Sequence, residues 1–363
     1  MDITPVFVTK SYSPPLEEYQ RYVKQILTTC QFTNNGPLLL ELEGKLRAFL
    51  GVDNLQFVTN GTVALQLALR GLEITEGEII TTPFTYVATT SAILWERCTP
   101  VYVDIDPQTL CLDPNKVEAA ITPRTRAILA VHVFGIPCDV DALADIGQRY
   151  GLPVIYDAAH AFGCRYKGRS LLSFGDVSTC SFHATKLFHT IEGGCVICRD
   201  AEVHQRVDLV KRFGHTGDEH FCLGINAKAS EFQAAMGLCN LPHVPEIIAD
   251  RRRSVELYDS LLRDRFTRPT IPAGTEYNYS YYPVLFPSEQ ALLTAKAALE
   301  AQNIHFRRYF YPSLNTLPYL PTRQECPISE DVAVRIACLP LYYGISEIIV
   351  KQIGDMICPC IHI

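Results

Sequence analysis

Residues 55–105 read LQFVTNGTVALQLALRGLEITEGEIITTPFTYVATTSAILWERCTPVYVDI, and in them short apolar runs alternate with helical patterns. LQFVTN leads into TVALQLALRGL, EIITT into YVATTSAILWE, and the stretch closes on PVYVDI. Continuous apolar runs suit strands buried on both faces, and the 3.6-residue patterns between them suit helices crossing back over the sheet. The alternation continues through AILAVHV (127–133), DVDALADIGQRYG (139–151) and PVIYDAA (153–159). The expectation is an α/β fold built on a large, mainly parallel sheet. The runs end in small or polar residues: Thr59, Asn60 and Gly61; Thr82 and Pro83; Asp104; Asp157 and Ala158. Open α/β sheets take ligands beyond the carboxyl ends of their strands, so the site is expected there.

Past residue 200 the pattern turns helical, over AEVHQRVDLVKRFG (201–214), AKASEFQAAMGL (227–238) and roughly 245 to 265. A strand at SYYPVLF (280–286), a helix over about 288 to 302 and a helical close after Gly344 suggest a smaller α+β unit. The expected division is a large domain over 1–240, N-terminal segment included, and a small C-terminal domain over 241–363. The 363 residues are 48% apolar and 20% charged, which supports a substantial core and excludes a disordered chain. A net charge of −7 disfavours non-specific nucleic-acid binding. No apolar run approaches the roughly 20 residues that span a bilayer. The start, MDITPVFVTKSYSPP, lacks the basic end and apolar stretch of a secretory leader. A soluble cytoplasmic protein with no membrane contact is expected. The fourteen cysteines are scattered through apolar stretches, as at Cys98, Cys180 and Cys239, where a thiol acts as a small hydrophobe. The closer pairs Cys195/Cys198 and Cys358/Cys360 lack a matching second half, so no metal site is expected.

Three segments carry chemistry. At Asn60-Gly61-Thr62 a strand becomes a helix, where free backbone N–H groups and the positive end of the helix suit a phosphate; an ordinary helix cap fits the same residues. Asp157 ends a buried strand and needs a cationic partner, either a distant arginine or a protonated pyridine nitrogen. Lys186, in SFHATKLFHTIEGG (181–194), is flanked by aromatic and apolar residues; desolvation would leave a neutral amine able to form a Schiff base, whereas a lone lysine more often reaches out to solvent. A phosphate cradle, a strand-end carboxylate and a desolvated amine on one sheet are together what pyridoxal phosphate requires.

The segments NGTVALQLAL, PFTYVAT, PVYVDID, AVHVFGIPCD, IYDAAHAFG, SFHATKLFHTIEGG, GINAKASEFQAAMG and RRYFYPSL occur in this order. By them the chain resembles the DegT/StrS family of pyridoxal-phosphate-dependent sugar aminotransferases over essentially its full length. The resemblance implies an aspartate-aminotransferase-type fold, with a large mainly parallel-sheet domain and a smaller C-terminal α+β domain. It also implies a homodimer with shared active sites, L-glutamate as amino donor, a nucleotide-diphospho-ketosugar as acceptor, and pyridoxamine phosphate between the two halves of the reaction. Carried over motif by motif, Lys186 binds the cofactor aldehyde and shuttles the proton. Asp157 keeps the ring nitrogen protonated, His160 lies near the ring's oxygen edge, and Tyr86 stacks on its face. Gly61, Thr62 and Ser181 hold the phosphate, which Asn226 of the partner subunit also reaches. Many members carry Arg two residues after that Asn; Lys228 stands there, without the two-pronged grip of a guanidinium on the donor's carboxylate. Arg307, Arg308 and Tyr309 match a segment near the nucleotide diphosphate.

The loop after the lysine looks most like that of enzymes aminating carbon 4 of dTDP-4-keto-6-deoxyglucose, for surface polysaccharide such as O-antigen. A 3-keto or UDP-linked 4-keto sugar stays open as acceptor. Of the rival classes, a dehydratase branch has His in place of Lys186, and a non-catalytic cofactor-binding regulator would be expected to lack the lysine or to add a DNA-binding helix pair. A pyridoxal-phosphate lyase would release pyruvate or sulfide from cysteine without a ketosugar.

Overall fold

The computed structural model describes residues 4–320 and 322–362; Met1–Ile3, the first residues of the start read above for a leader, lie outside them. Seven strands form the central sheet: β1 (Leu55–Val58), β2 (Gly77–Thr81), β3 (Cys98–Tyr102), β4 (Thr125–Val131), β5 (Val154–Asp157), β6 (Val177–Ser181) and β7 (Gly194–Cys198). Their order is β1-β7-β6-β5-β4-β2-β3. From β6 through β5, β4 and β2 to β3 all pairings are parallel, and β7 alone runs against its two neighbours. β1, β4 and β5 are buried along most or all of their length, as expected of strands covered by helices on both faces.

The antiparallel β6–β7 pairing matters most for the site. It sets Ser181 opposite Gly194, so residues 182–193 must close as a compact loop above the strand ends. The loop is tied at its base, where Phe182 N–H donates to the Gly193 carbonyl (2.8 Å) and Thr190 N–H to the Phe182 carbonyl (2.9 Å). Below it Phe162 stacks on Phe188 at 4.5 Å, and Phe182 meets Phe188 edge-on at 5.0 Å. Lys186 therefore rides on a loop anchored by buried rings.

The helices follow the patterns read in the sequence. α1 (Leu16–Thr29) and α2 (Pro37–Leu50) precede β1, and α3 (Gly61–Gly71), α4 (Val87–Trp95) and α5 (Val140–Tyr150) cover the sheet. After β7 come α6 (Ala201–Lys211), α7 (Glu231–Asn240) and α8 (Val244–Leu262). α1 and α2 have no counterpart in the sequence reading. α1 lays a stripe of Tyr19, Tyr22 and Ile26 against a core into which α2 packs Leu38, Leu39, Leu42 and Leu46 with Leu55 and Phe57 of β1.

At the C-terminal side, β8 (Tyr282–Leu285) pairs antiparallel with β9 (Ile336–Leu339), flanked by α9 (Glu289–Glu300), α10 (Pro327–Arg335) and α11 (Glu347–Ile357). Tyr258, Tyr282, Leu292, Leu339 and Ile353 form a separate apolar core there. Val6 joins it, with its N–H on the Asn303 carbonyl (3.0 Å) and its carbonyl taking the His305 N–H (2.8 Å), so the chain's start is stitched to its C-terminal part. Among the described residues no helix is long and apolar enough to cross a membrane.

Candidate active site

A cavity of about 550 Å³ opens over the carboxyl ends of the sheet strands. Its floor begins at the β1–α3 junction. Asn60 is the N-cap of α3 and its Oδ1 accepts from Val63 N–H at 2.9 Å, so the ordinary cap foreseen as an alternative is present. The cap bond engages Val63 and neither of the first two helical N–H groups, those of Gly61 and Thr62, and both residues line the cavity. A Cβ at Gly61 would stand 2.7 Å from the Ser181 Cβ, so only glycine lets the helix start lie against the strand that carries Ser181.

Asp157, at the end of β5, is 7% exposed. Its Oδ2 accepts from the Thr89 hydroxyl (2.8 Å) and its Oδ1 from Ala159 N–H (3.1 Å). Among the described residues no cation pairs with it, and burial pushes its carboxyl above the usual range against those two bonds and the nearby Lys186 charge. The distant arginine considered as partner is not found among the described residues. Thr89 was not foreseen; it reaches Asp157 from α4, held by the Thr85 hydroxyl one turn earlier (3.0 Å).

Lys186 lines the same cavity, and its backbone N–H donates to the His183 carbonyl at 2.8 Å. Desolvation lowers its ammonium pKa, while the neighbouring Tyr309 and Asp157 act the other way. His160 is buried, and its Nδ1 accepts from the Phe134 N–H at 3.3 Å, which leaves the ring proton on Nε2. Parallel rings of Phe134 (6.3 Å) and Phe310 (5.8 Å) hold it in plane, and burial keeps it neutral. Tyr86, at the N-terminus of α4, lines the cavity and is 58% exposed as a residue.

Arg307 and Tyr309 also line the cavity, the guanidinium 5.6 Å from the Tyr309 ring centre. Arg308 does not join them. Adjacent residues of an extended segment point opposite ways, and Arg308 turns outward to Glu289 (2.6 Å) and the Val334 carbonyl (3.0 Å), over the Tyr311 ring. Asn226 and Lys228 lie outside the cavity of their own chain: Asn226 is exposed beside Arg212, and the Lys228 ammonium sits 5.0 Å over the Phe213 ring. Of the residues not foreseen, Tyr281, Phe310, His183 and Glu192 line the cavity. His183 and Glu192 stand within the lysine segment, and their place on either side of Lys186 was the available signal.

The donor set fits pyridoxal phosphate. A buried carboxylate without a cation suits a protonated ring nitrogen, the glycine-lined helix start suits a phosphate, and the desolvated amine suits an aldehyde. Fold and site together define a pyridoxal-phosphate-type aminotransferase scaffold. The chain belongs to the DegT/DnrJ/EryC1/StrS aminotransferase family, which it matches over residues 16–358 and whose members depend on pyridoxal phosphate. It is 42% identical over 361 residues to a dTDP-4-amino-4,6-dideoxy-D-glucose transaminase of Shigella dysenteriae, covering 97% of this chain and 98% of that one. A protein of the same name from Escherichia coli is 39% identical, with 96% and 97% covered. A crystal structure of DesI in the presence of its TDP-sugar product superposes with a TM-score of 0.94 at 33% identity, covering 99% of this chain and 94% of that one.

Proposed function

We propose that this aminotransferase moves the amino group of L-glutamate to carbon 4 of dTDP-4-keto-6-deoxy-D-glucose, giving dTDP-4-amino-4,6-dideoxy-D-glucose for surface polysaccharide in the cytoplasm. The observation that carries the reading is likeness, at 42% and 39% identity along nearly the whole chain, to two transaminases named for that product. Bound in the cavity, pyridoxal phosphate would supply the group that accepts the amine and a ring that stores the electron pair left when carbon loses its proton.

The chain's own residues divide the remaining work. Lys186 Nζ, whose ammonium burial makes easier to deprotonate, takes the proton from the amino-bearing carbon and returns it. Asp157 holds the ring nitrogen protonated, and its burial strengthens that pairing because little water competes. The N–H groups of Gly61 and Thr62, with the hydroxyls of Thr62 and Ser181, hold the phosphate. The Tyr86 ring covers one face of the cofactor, and His160 Nε2–H donates toward its oxygen edge. Asn226 of the partner subunit completes the phosphate site in a homodimer, and Lys228 meets the donor carboxylate as a point charge. Arg307 and Tyr309 take the diphosphate; Arg308, already bonded to Glu289, has no such part. Because glutamate and ketosugar use one cavity and one base, they enter in turn and the kinetics are ping-pong.

Mass spectrometry of an incubation with cofactor, glutamate and fresh dTDP-4-keto-6-deoxyglucose, free of any 3,4-ketoisomerase, tests the reading. Conversion of the ketone to an amine only when glutamate is present is expected. A ketosugar returned unchanged by cofactor-loaded enzyme would refute the substrate assignment.

A further inference from the structure

Among the ionisable side chains on the cavity wall, His183 and Glu192 lie within the lysine loop and have no role in the reading above. His183 heads the turn that carries the lysine, its carbonyl accepting the Lys186 N–H at 2.8 Å. Its Nδ1 accepts from the Thr185 N–H (3.2 Å) and lies 2.8 Å from the Thr185 hydroxyl, so in the neutral ring the proton sits on Nε2. That nitrogen stands 3.5 Å from Glu192 Oε1, with the two side chains 46% and 55% exposed. The Glu192 main chain is fixed through its carbonyl, which accepts from the Thr190 hydroxyl (2.7 Å) and the Gln233 amide (2.8 Å).

Charge decides what this pair can read. Both molecules of the proposed reaction are anions, glutamate through its carboxylates and the nucleotide sugar through its diphosphate, and Arg307 on the cavity wall suits such groups. A carboxylate in the same cavity repels both groups. It can only accept hydrogen bonds, and the hydrogen-bond donors that a nucleotide sugar brings near its reacting carbon are the sugar's hydroxyls. We infer that Glu192, placed beside His183 Nε2, accepts the hydroxyl next to the ketone of the acceptor sugar and so selects the carbon that faces Lys186. His183 and Lys186 share one hydrogen-bonded turn, which fixes the spacing between this hydroxyl reader and the amine. The inference rests on the aminotransferase reading above and adds the group that chooses the carbon.

The test follows the two half-reactions of the holoenzyme separately, by cofactor absorbance after rapid mixing with glutamate alone or, for the amino-loaded form, with ketosugar alone. Glu192→Gln is nearly isosteric at a half-exposed position and should fold. Its kcat/KM in the ketosugar half is expected to fall by about 10- to 100-fold, at least about tenfold more than in the glutamate half, as for one lost bond to a charged acceptor. An acceptor lacking the hydroxyl beside the ketone should cost the wild type a similar factor, and the variant less than about threefold. His183→Ala is expected to show the same one-sided loss, and His183→Gln, which keeps an N–H, to regain most of it. Equal losses in both halves, no loss in Glu192→Gln, or a full penalty for the deoxy acceptor in the variant would overturn the inference. A wild-type cofactor unchanged by glutamate would overturn the aminotransferase reading itself, a separate failure.

Discussion

Asp157 is costly by itself: a buried carboxylate with two hydrogen bonds and no cation among the described residues. Its carboxyl pKa lies above the ordinary value of 3.8, so between the two values the folded chain keeps a proton that the unfolded chain has lost. The stability this supplies is complete below the ordinary value and disappears as pH rises through the folded one. Without cofactor, Asp157→Asn should therefore be more stable than wild type at neutral pH by about 1 kcal/mol, an advantage that shrinks on acidification. The same variant should bind cofactor without turning over. Thermal melts across pH with cofactor removed check this, and a wild type more stable than the variant at pH 7 would contradict it. Under the proposed reading, stability is given up at the residue where a bound cofactor's cation would restore it.

Among the elements, α2 is held at its start by a residue distant in sequence. Glu231, the first residue of α7 and 1% exposed, accepts the N–H groups of Leu38 and Leu39 at 2.9 Å each. A carboxylate there meets the positive end of the helix. Glu231→Ala should cost about 3 kcal/mol, read by denaturant unfolding, and a loss below about 1 kcal/mol would mean that water replaces the carboxylate. The strands and crossover helices of residues 55–198 were legible because their apolar periodicity is local. Glu231 was not, since its partners lie 193 and 192 positions away. Thr89 was hidden likewise, 68 positions from Asp157. The outward turn of Arg308 depends on a strand direction that two adjacent arginines do not reveal.

On the scale of the molecule, Asn226 and Lys228 stand on a stretch that shows Phe221 and Leu223 to solvent, 60% and 77% exposed, outside their own chain's cavity. That arrangement suits a second copy that takes Asn226 into its site and covers the apolar side chains. Refolding Lys186→Ala together with Asn226→Asp, each inactive alone at limiting cofactor, should restore roughly a quarter of wild-type activity, because half the dimers carry one intact shared site. No recovery would mean that each chain completes its own site. The motifs carried Lys186, Asp157 and the Asn60–Thr62 turn in the sequence, whereas the proposed shared site depends on geometry between chains that no single sequence displays. The most direct test of the central claim is nuclear magnetic resonance of the product formed from ¹⁵N-glutamate and dTDP-4-keto-6-deoxyglucose, with Lys186→Ala as control. The account predicts ¹⁵N bonded to carbon 4 with wild type and no labelled sugar with the variant; ¹⁵N on carbon 3, or label delivered by Lys186→Ala over repeated turnovers, would contradict it.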